Sequence, residues 1–317
     1  MGDAIVDVDL LAFEHGDRQG RRAVVDGVMR SLRTGFVYTS HDIPDEVLDA
    51  AYGMLATFFH LPSEVKRRYV APESHGQTGY TGLLVETAAG AERADWKEML
   101  NWGEDLVASH PLRRKYPHRH AEQVLPEADV PGITEVLMTF HRRLLDLQRR
   151  FLRIIAVGIG CHEAFFDDVL RDGSTLNRAI RYPPMTEAPG TEHVWAGAHG
   201  DINLITALPR ATARGLQVET VDGWVDAVAP DGSTIINTGI MLERLTNGIV
   251  PTGVHRVIAD PDHPGERFSV VQFCHPSPWT ILSPVPSCVD AEHPLRFGAI
   301  EAGDLLDRVL WEINLLS

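Results

Sequence analysis

Apolar residues recur at helical spacing through the first half of the chain and give way to short alternating runs in the second. Residues 4–9 alternate and predict a short strand. Residues 18–33 carry Val24, Val25, Val28, Met29 and Leu32 on one helical face, and residues 35–38 read as the strand that follows. A helix starts at Pro44, runs through Leu48, Met54, Phe58 and Phe59, and stops near Leu61-Pro62. Residues 63–125 show no sustained period and read as irregular. The longest amphipathic pattern spans 132–160, where Ile133, Leu137, Phe140, Leu144, Leu147, Phe151 and Ile154 alternate in steps of four and three.

Beyond Ala179 the period changes. β-rich runs at 178–183, 193–199, 202–208, 215–219, 223–228, 233–237, 254–259 and 267–274 are separated by Pro, Gly and Asp turns, the texture of a sandwich or barrel. Residues 302–316 return to helical spacing and predict a closing helix. No flexible linker separates the halves. The expectation is an N-terminal region over 1–125 and a second over 126–317, holding the long helix, the β core and the C-terminal helix, in one integrated unit.

The chain has 317 residues, 44% hydrophobic and 23% charged, ordinary values for a globular protein. No apolar stretch is long enough to span a bilayer, so no membrane partner is expected. The net charge of −15 argues against a nucleic-acid surface, which needs a basic footprint. No basic segment followed by an apolar run opens the chain, and Cys161, Cys274 and Cys288 form no CxxC. Free thiols and a cytoplasmic location are expected; the oligomeric state is open, a monomer being compatible.

Fifteen histidines direct attention to metal chemistry. His199-Gly200-Asp201 would place an imidazole and a carboxylate on one face of a strand. Alone, such a triplet carries little weight. With His255, in Gly253-Val254-His255-Arg256-Val257, it completes two histidines and one carboxylate, the set that leaves three positions open on a non-haem iron. Arg267-Phe268-Ser269 then offers a guanidinium fork and a hydroxyl on one face, suited to a dicarboxylate. Tyr182, before two prolines, would add a phenol.

In this order the motifs resemble the Fe(II)/2-oxoglutarate-dependent oxygenases of the isopenicillin N synthase-like type. The series runs from Tyr182-Pro-Pro through His199-x-Asp201, Gly215-Leu-Gln-Val, Asn237-Thr-Gly and His255-Arg-Val to Arg267-x-Ser269. Gly35-Phe-Val-Tyr, Phe58-Phe-x-Leu-Pro and Lys97-Glu-Met extend the likeness to the N-terminal half. The resemblance implies an α+β fold, a double-stranded β-helix (jelly-roll) core with N-terminal helical support and a C-terminal helix. It implies Fe(II) on His199, Asp201 and His255, and 2-oxoglutarate on Arg267 and Ser269 with Tyr182 as a third contact. O2 would be the oxidant and a C–H bond of a small molecule the target, through hydroxylation, desaturation, cyclisation or epoxidation. Bacterial natural-product (antibiotic) biosynthesis is the expected setting. Asn203 and Ile240 depart from the family's usual residues at positions that are not ligands.

Other readings stand beside this one. An iron oxidase without 2-oxoglutarate has less use for Arg267 and Ser269; a jelly-roll metal hydrolase or a binding module has none. Tyr182 could pack a strand end, and Arg267 could form a structural salt bridge. His193 and His275 read as satisfied structural histidines. Trp96, Asn101, Trp195 and Phe273, with the segment from Trp311 to Leu316, are the candidates for the substrate pocket, core packing being the alternative for each aromatic.

Overall fold

A computed structural model describes residues 5–86, 94–190, 193–260 and 262–312. Two antiparallel-dominated sheets face each other. Twelve strands matter here: β1 (Asp7–Asp9), β2 (Phe36–Ser40), β3 (Gly79–Thr81), β4 (Glu98–Gly103), β5 (Leu176–Tyr182), β6 (Ala196–His199), β7 (Ile205–Leu208), β8 (Leu216–Thr220), β9 (Gly223–Asp226), β10 (Ser233–Thr238), β11 (His255–Val257) and β12 (Arg267–Cys274). The major sheet has the order β1-β2-β10-β7-β12-β5-β4-β3, and the minor one β6-β11-β8-β9. This is the expected jelly roll, and each of the eight expected β-rich runs overlaps one of its strands.

The major sheet is covered on both faces, so the protein has two apolar compartments. On the outer face the long helix, Ile133–Gly158, lays down Leu144, Leu147 and Phe151 against Leu100, Ala207 and Val270 of the sheet. The helices Arg18–Ser31 and Asp45–Phe59 pack on the long helix in turn. Between the sheets a second cluster joins Ile180, Tyr182, Leu208 and Ile235 to Ala196, Val218 and Val257. The N-terminal region is part of the sheet itself: β1 runs parallel to β2, and β2 pairs antiparallel with β10.

Residues 63–125, expected to be irregular, supply β3 and β4. Every residue of β4, Glu-Met-Leu-Asn-Trp-Gly, is buried. A strand covered on both faces loses the polar–apolar alternation that would reveal it, and the Glu98 and Asn101 side chains disguise it further. Glu98 is held by Lys66 at 2.7 Å and Arg181 at 2.7 Å, a buried ion cluster that also receives the Tyr80 hydroxyl. The closing helix is Ala302–Glu312; the remainder of the expected span, 313–316, lies outside the described residues, as does Ala4 at the start of the first expected strand.

Gly35 makes one close approach possible. It sits at φ 74° before β2, and a Cβ there would lie 2.3 Å from the Cα of Gly253. The β2 start is thereby drawn against the segment leading to His255, whose ring meets Phe36 edge-on at 5.7 Å. Among the described residues, no helix is long and apolar enough to cross a membrane.

Candidate active site

His199 ends β6 and lies directly across from His255 on β11, so register alone brings their rings to 4.4 Å between centroids. Asp201 lies just past the strand end rather than on it. Gly200 carries the chain round: a Cβ there would meet Thr252 Cγ2 at 2.6 Å. The Asp201 carbonyl then accepts from the Ile240 N–H at 2.8 Å. One ligand atom from each of His199, Asp201 and His255 falls within 4.8 Å of the others.

The surroundings fix which atoms are presented. A carbonyl can only accept, so the Nδ1–H groups of His199 and His255 donate to Gly197 O at 2.8 Å and Gly253 O at 3.0 Å. Both Nε2 lone pairs are left free, the usual tautomer of a metal-bound imidazole. Burial, with His255 close by, pushes the His199 pKa down to about 4, so it is a neutral ligand at pH 7. Burial would raise the Asp201 carboxyl, but the two imidazoles and hydrogen bonds from Thr206 and Asn237 more than offset it. Those donors occupy Oδ2 at 2.5 and 2.8 Å, leaving Oδ1, which lies 4.0 Å from His199 Nε2. Asn203 Nδ2 in turn reaches Thr206 Oγ1 at 2.9 Å. The two imidazole nitrogens and one carboxylate oxygen suit a divalent iron with open positions. Thr206 and Asn237 as buttresses of Asp201 were missed; only their place beside the motifs could have pointed to them.

The triad opens into a cavity of about 430 Å³. Arg267, Ser269 and Tyr182 line it, and all three are almost fully buried. Arg267 Nη1 donates to Ser269 Oγ at 3.1 Å, Nε donates to Ala213 O at 3.1 Å, and the guanidinium lies 5.0 Å over the Tyr182 ring. Among the described residues no carboxylate pairs with Arg267, so it is not the structural salt bridge that the alternative required. A buried guanidinium without a counter-ion is costly unless a ligand supplies the charge, and a dicarboxylate fits that need.

The opposite wall carries charges that sequence reasoning left unassigned. Arg178 Nε donates to Asn101 Oδ1 at 2.8 Å, and Arg178 Nη1 lies 3.4 Å from Glu86. Lys97 Nζ lies 2.8 Å from Asp95 and 3.7 Å from Glu86. Burial would raise Glu86, yet Arg178 and Lys97 hold it down at about 2. Glu86 is thus ionised, and the wall sets two acids against two cations.

Of the four residues expected in the substrate pocket, Phe273 lines the cavity and three do not. Trp96 and Trp195 belong to the second apolar cluster, their indole N–H groups donating to Pro184 O at 3.3 Å and Pro183 O at 2.9 Å. Trp195 supports Tyr182 from behind, 5.5 Å between rings. Asn101 is fully buried and acts on the cavity only through Arg178. Trp311 is exposed, whereas Leu306, Val309 and Leu310 on the same helix line the cavity; residues 87–93 and 313–316 lie outside the described residues. His193 is satisfied by Ala94 O at 3.2 Å. His275 is not satisfied: it lines the cavity with Nδ1 buried and unpartnered.

Comparison with known proteins agrees with this geometry. Residues 5–128 match the family described as non-haem dioxygenase in morphine synthesis N-terminal, and residues 172–276 match the 2OG-Fe(II) oxygenase superfamily. A 2OG-Fe(II) oxygenase family protein from Caulobacter crescentus, of known crystal structure, is 33% identical, with a TM-score of 0.86 over 98% of this chain and 99% of that one. Leucoanthocyanidin dioxygenase 1 of rice is 29% identical over 302 residues, 91% of this chain and 76% of the relative. A full-length Neurospora crassa protein, crystallised in complex with alpha-KG, shares the fold at a TM-score of 0.86 and 24% identity, over 98% of this chain and 97% of that one.

Proposed function

This chain belongs to the 2OG-Fe(II) oxygenase superfamily, of the isopenicillin N synthase-like type, and we propose that it oxidises an unactivated C–H bond of a small molecule in natural-product biosynthesis. It is an enzyme of the 2-oxoglutarate-dependent dioxygenase class, with Fe(II) and 2-oxoglutarate as its cofactor and co-substrate. The observation that carries the proposal is one cavity holding both the His199–Asp201–His255 triad and the unpaired, buried Arg267. The natural-product setting draws support from the names of relatives such as the rice leucoanthocyanidin dioxygenases and kihadalactone A synthase of Citrus sinensis.

Iron, with 2-oxoglutarate and O2, supplies the oxidising power, the co-substrate leaving as succinate and CO2. The protein's part is placement. His199 and His255 present their Nε2 atoms and Asp201 one charged oxygen, so one positive charge on Fe(II) would remain for an anionic co-substrate. Arg267 and Ser269 hold the far carboxylate, and Tyr182 closes over the guanidinium. That fixes the co-substrate's orientation before substrate enters. Phe273, Leu306, Val309 and Leu310 give the substrate side an apolar surface that excludes water.

The test is O2 uptake and succinate formation by the Fe(II)-loaded protein. Both are expected to require 2-oxoglutarate and to leave a slow, substrate-free rate. O2 consumption without 2-oxoglutarate would favour an iron oxidase, and hydrolysis or inert binding without O2 uptake would remove the oxygenase reading.

A further inference from the structure

His275 follows β12 and lines the cavity. It is 7% exposed. Its Nδ1 is sealed from solvent without a partner, and among the described residues Nε2 has no hydrogen-bond partner either. Burial pushes its pKa down to about 3, and Asp201 is close enough to act on it electrostatically. The ring is therefore neutral, with one N–H to give and one lone pair to receive. Leaving a buried polar atom unsatisfied destabilises a fold. Nδ1 is sealed from the cavity as well as from solvent, so the nitrogen that a ligand in the cavity can reach is Nε2, which is not among the sealed atoms.

The same cavity restricts the ligand's charge. Arg178 is matched by Glu86 and Lys97 by Asp95, so neither cation of that wall awaits an anion. The one unmatched cation among the cavity's described residues is Arg267, which the oxygenase reading assigns to the co-substrate. From this juxtaposition we infer that His275 is the substrate-orienting residue, and that the substrate is an uncharged molecule whose hydroxyl or amide group His275 grips while its apolar frame lies on Phe273 and the Leu306–Leu310 face. The inference rests on the oxygenase reading for the role of Arg267. Held at that point, the substrate presents a C–H bond beside the triad rather than its polar group.

The experiment uses the full chain and two variants, His275→Leu and His275→Gln, the second keeping a polar atom near the Nε2 position. In the absence of ligand, His275→Leu is expected to melt at least ~2 °C above wild type, because an unsatisfied polar group has been removed. An unchanged or lower melting temperature means the imidazole is satisfied in the fold and overturns the inference. The second arm screens neutral hydroxylated aromatics and cyclic amides against carboxylates of equal size, reading substrate-stimulated succinate formation. Neutral hits whose KM rises about tenfold in His275→Leu, and recovers in His275→Gln, support it. Carboxylate hits, neutral hits indifferent to the substitution, or no neutral hit at all overturn it. Formation of the visible Fe(II)–2-oxoglutarate absorption by wild type under anaerobic conditions tests the underlying oxygenase reading separately.

Discussion

Replacing Arg267 by alanine tests the co-substrate end of the site. The guanidinium is 1% exposed. Two of its N–H directions are committed, to Ala213 O and Ser269 Oγ, and among the described residues no acid neutralises it. A dicarboxylate arriving there gains a charge-assisted contact to a buried guanidinium. Truncating one partner of such a pair costs about 2–5 kcal/mol. At 1.4 kcal/mol per tenfold, the Kd for 2-oxoglutarate rises roughly thirty- to four-thousand-fold. Ser269→Ala removes one neutral acceptor that steadies the guanidinium, worth about 1 kcal/mol or roughly fivefold. The assay is anaerobic titration of the Fe(II)-loaded variants with 2-oxoglutarate, followed by visible absorption. Thermal shifts run alongside, since saturating ligand at 100 Kd stabilises by about 2.7 kcal/mol and that gain should vanish in Arg267→Ala. Ser269→Ala proving the more damaging, or Arg267→Ala binding within about threefold of wild type, would refute the clamp.

Three further outcomes are expected. His199→Ala, Asp201→Ala and His255→Ala each lose bound iron and turnover while keeping the wild-type circular dichroism spectrum; full metal occupancy in any one removes that residue from the triad. Trp195→Ala and Phe273→Ala separate, because one lies behind the wall and the other on it: the first destabilises by about 3–5 kcal/mol in denaturant melts, while the second raises substrate KM and pushes the succinate-to-product ratio above one. Glu86, held at about 2 against an ordinary 4.5 despite its burial, contributes stability that is full above about pH 4.5 and lost as the pH falls through 2. The stability gap between wild type and Glu86→Gln, about 3 kcal/mol near neutrality, should close over that window, and a gap that widens on acidification contradicts the pairing with Arg178 and Lys97.

Periodicity located the long helices by their apolar stripes, and the eight later strands stood out as short β-rich runs between Pro, Gly and Asp turns, even β7 and β10, which are buried throughout. β4, Glu98–Gly103, is buried throughout as well but has no such frame, and Glu98 and Asn101 interrupt its apolar run within a stretch of no sustained period. The ligand set was legible because few residue types bind iron and their spacing is constrained. The buttresses Thr206 and Asn237 were not, since Thr and Asn are common in strands for many reasons. The choice of Trp96 and Trp195 for the pocket erred for a related reason. A strand's alternation tells that an indole is inside, and does not tell whether inside means the cavity or the packed cluster beside it.

The sequence by itself determined the jelly-roll class, the order of the long helices and of the eight later strands, and the three iron ligands, and it singled out Arg267 and Ser269, the proposed grip on the co-substrate; these follow from local pattern and from the chemistry of a few residue types. Only the tertiary structure decided which residues share the cavity. It set Arg178 against Glu86 and Lys97 against Asp95 in one wall, a pairing that no periodic pattern reveals. Among the described residues it also left the Nδ1 of His275 without the partner that a structural histidine would have. The reason is physical: whether a polar atom is satisfied depends on every element packed around it, and local sequence describes only the element to which it belongs.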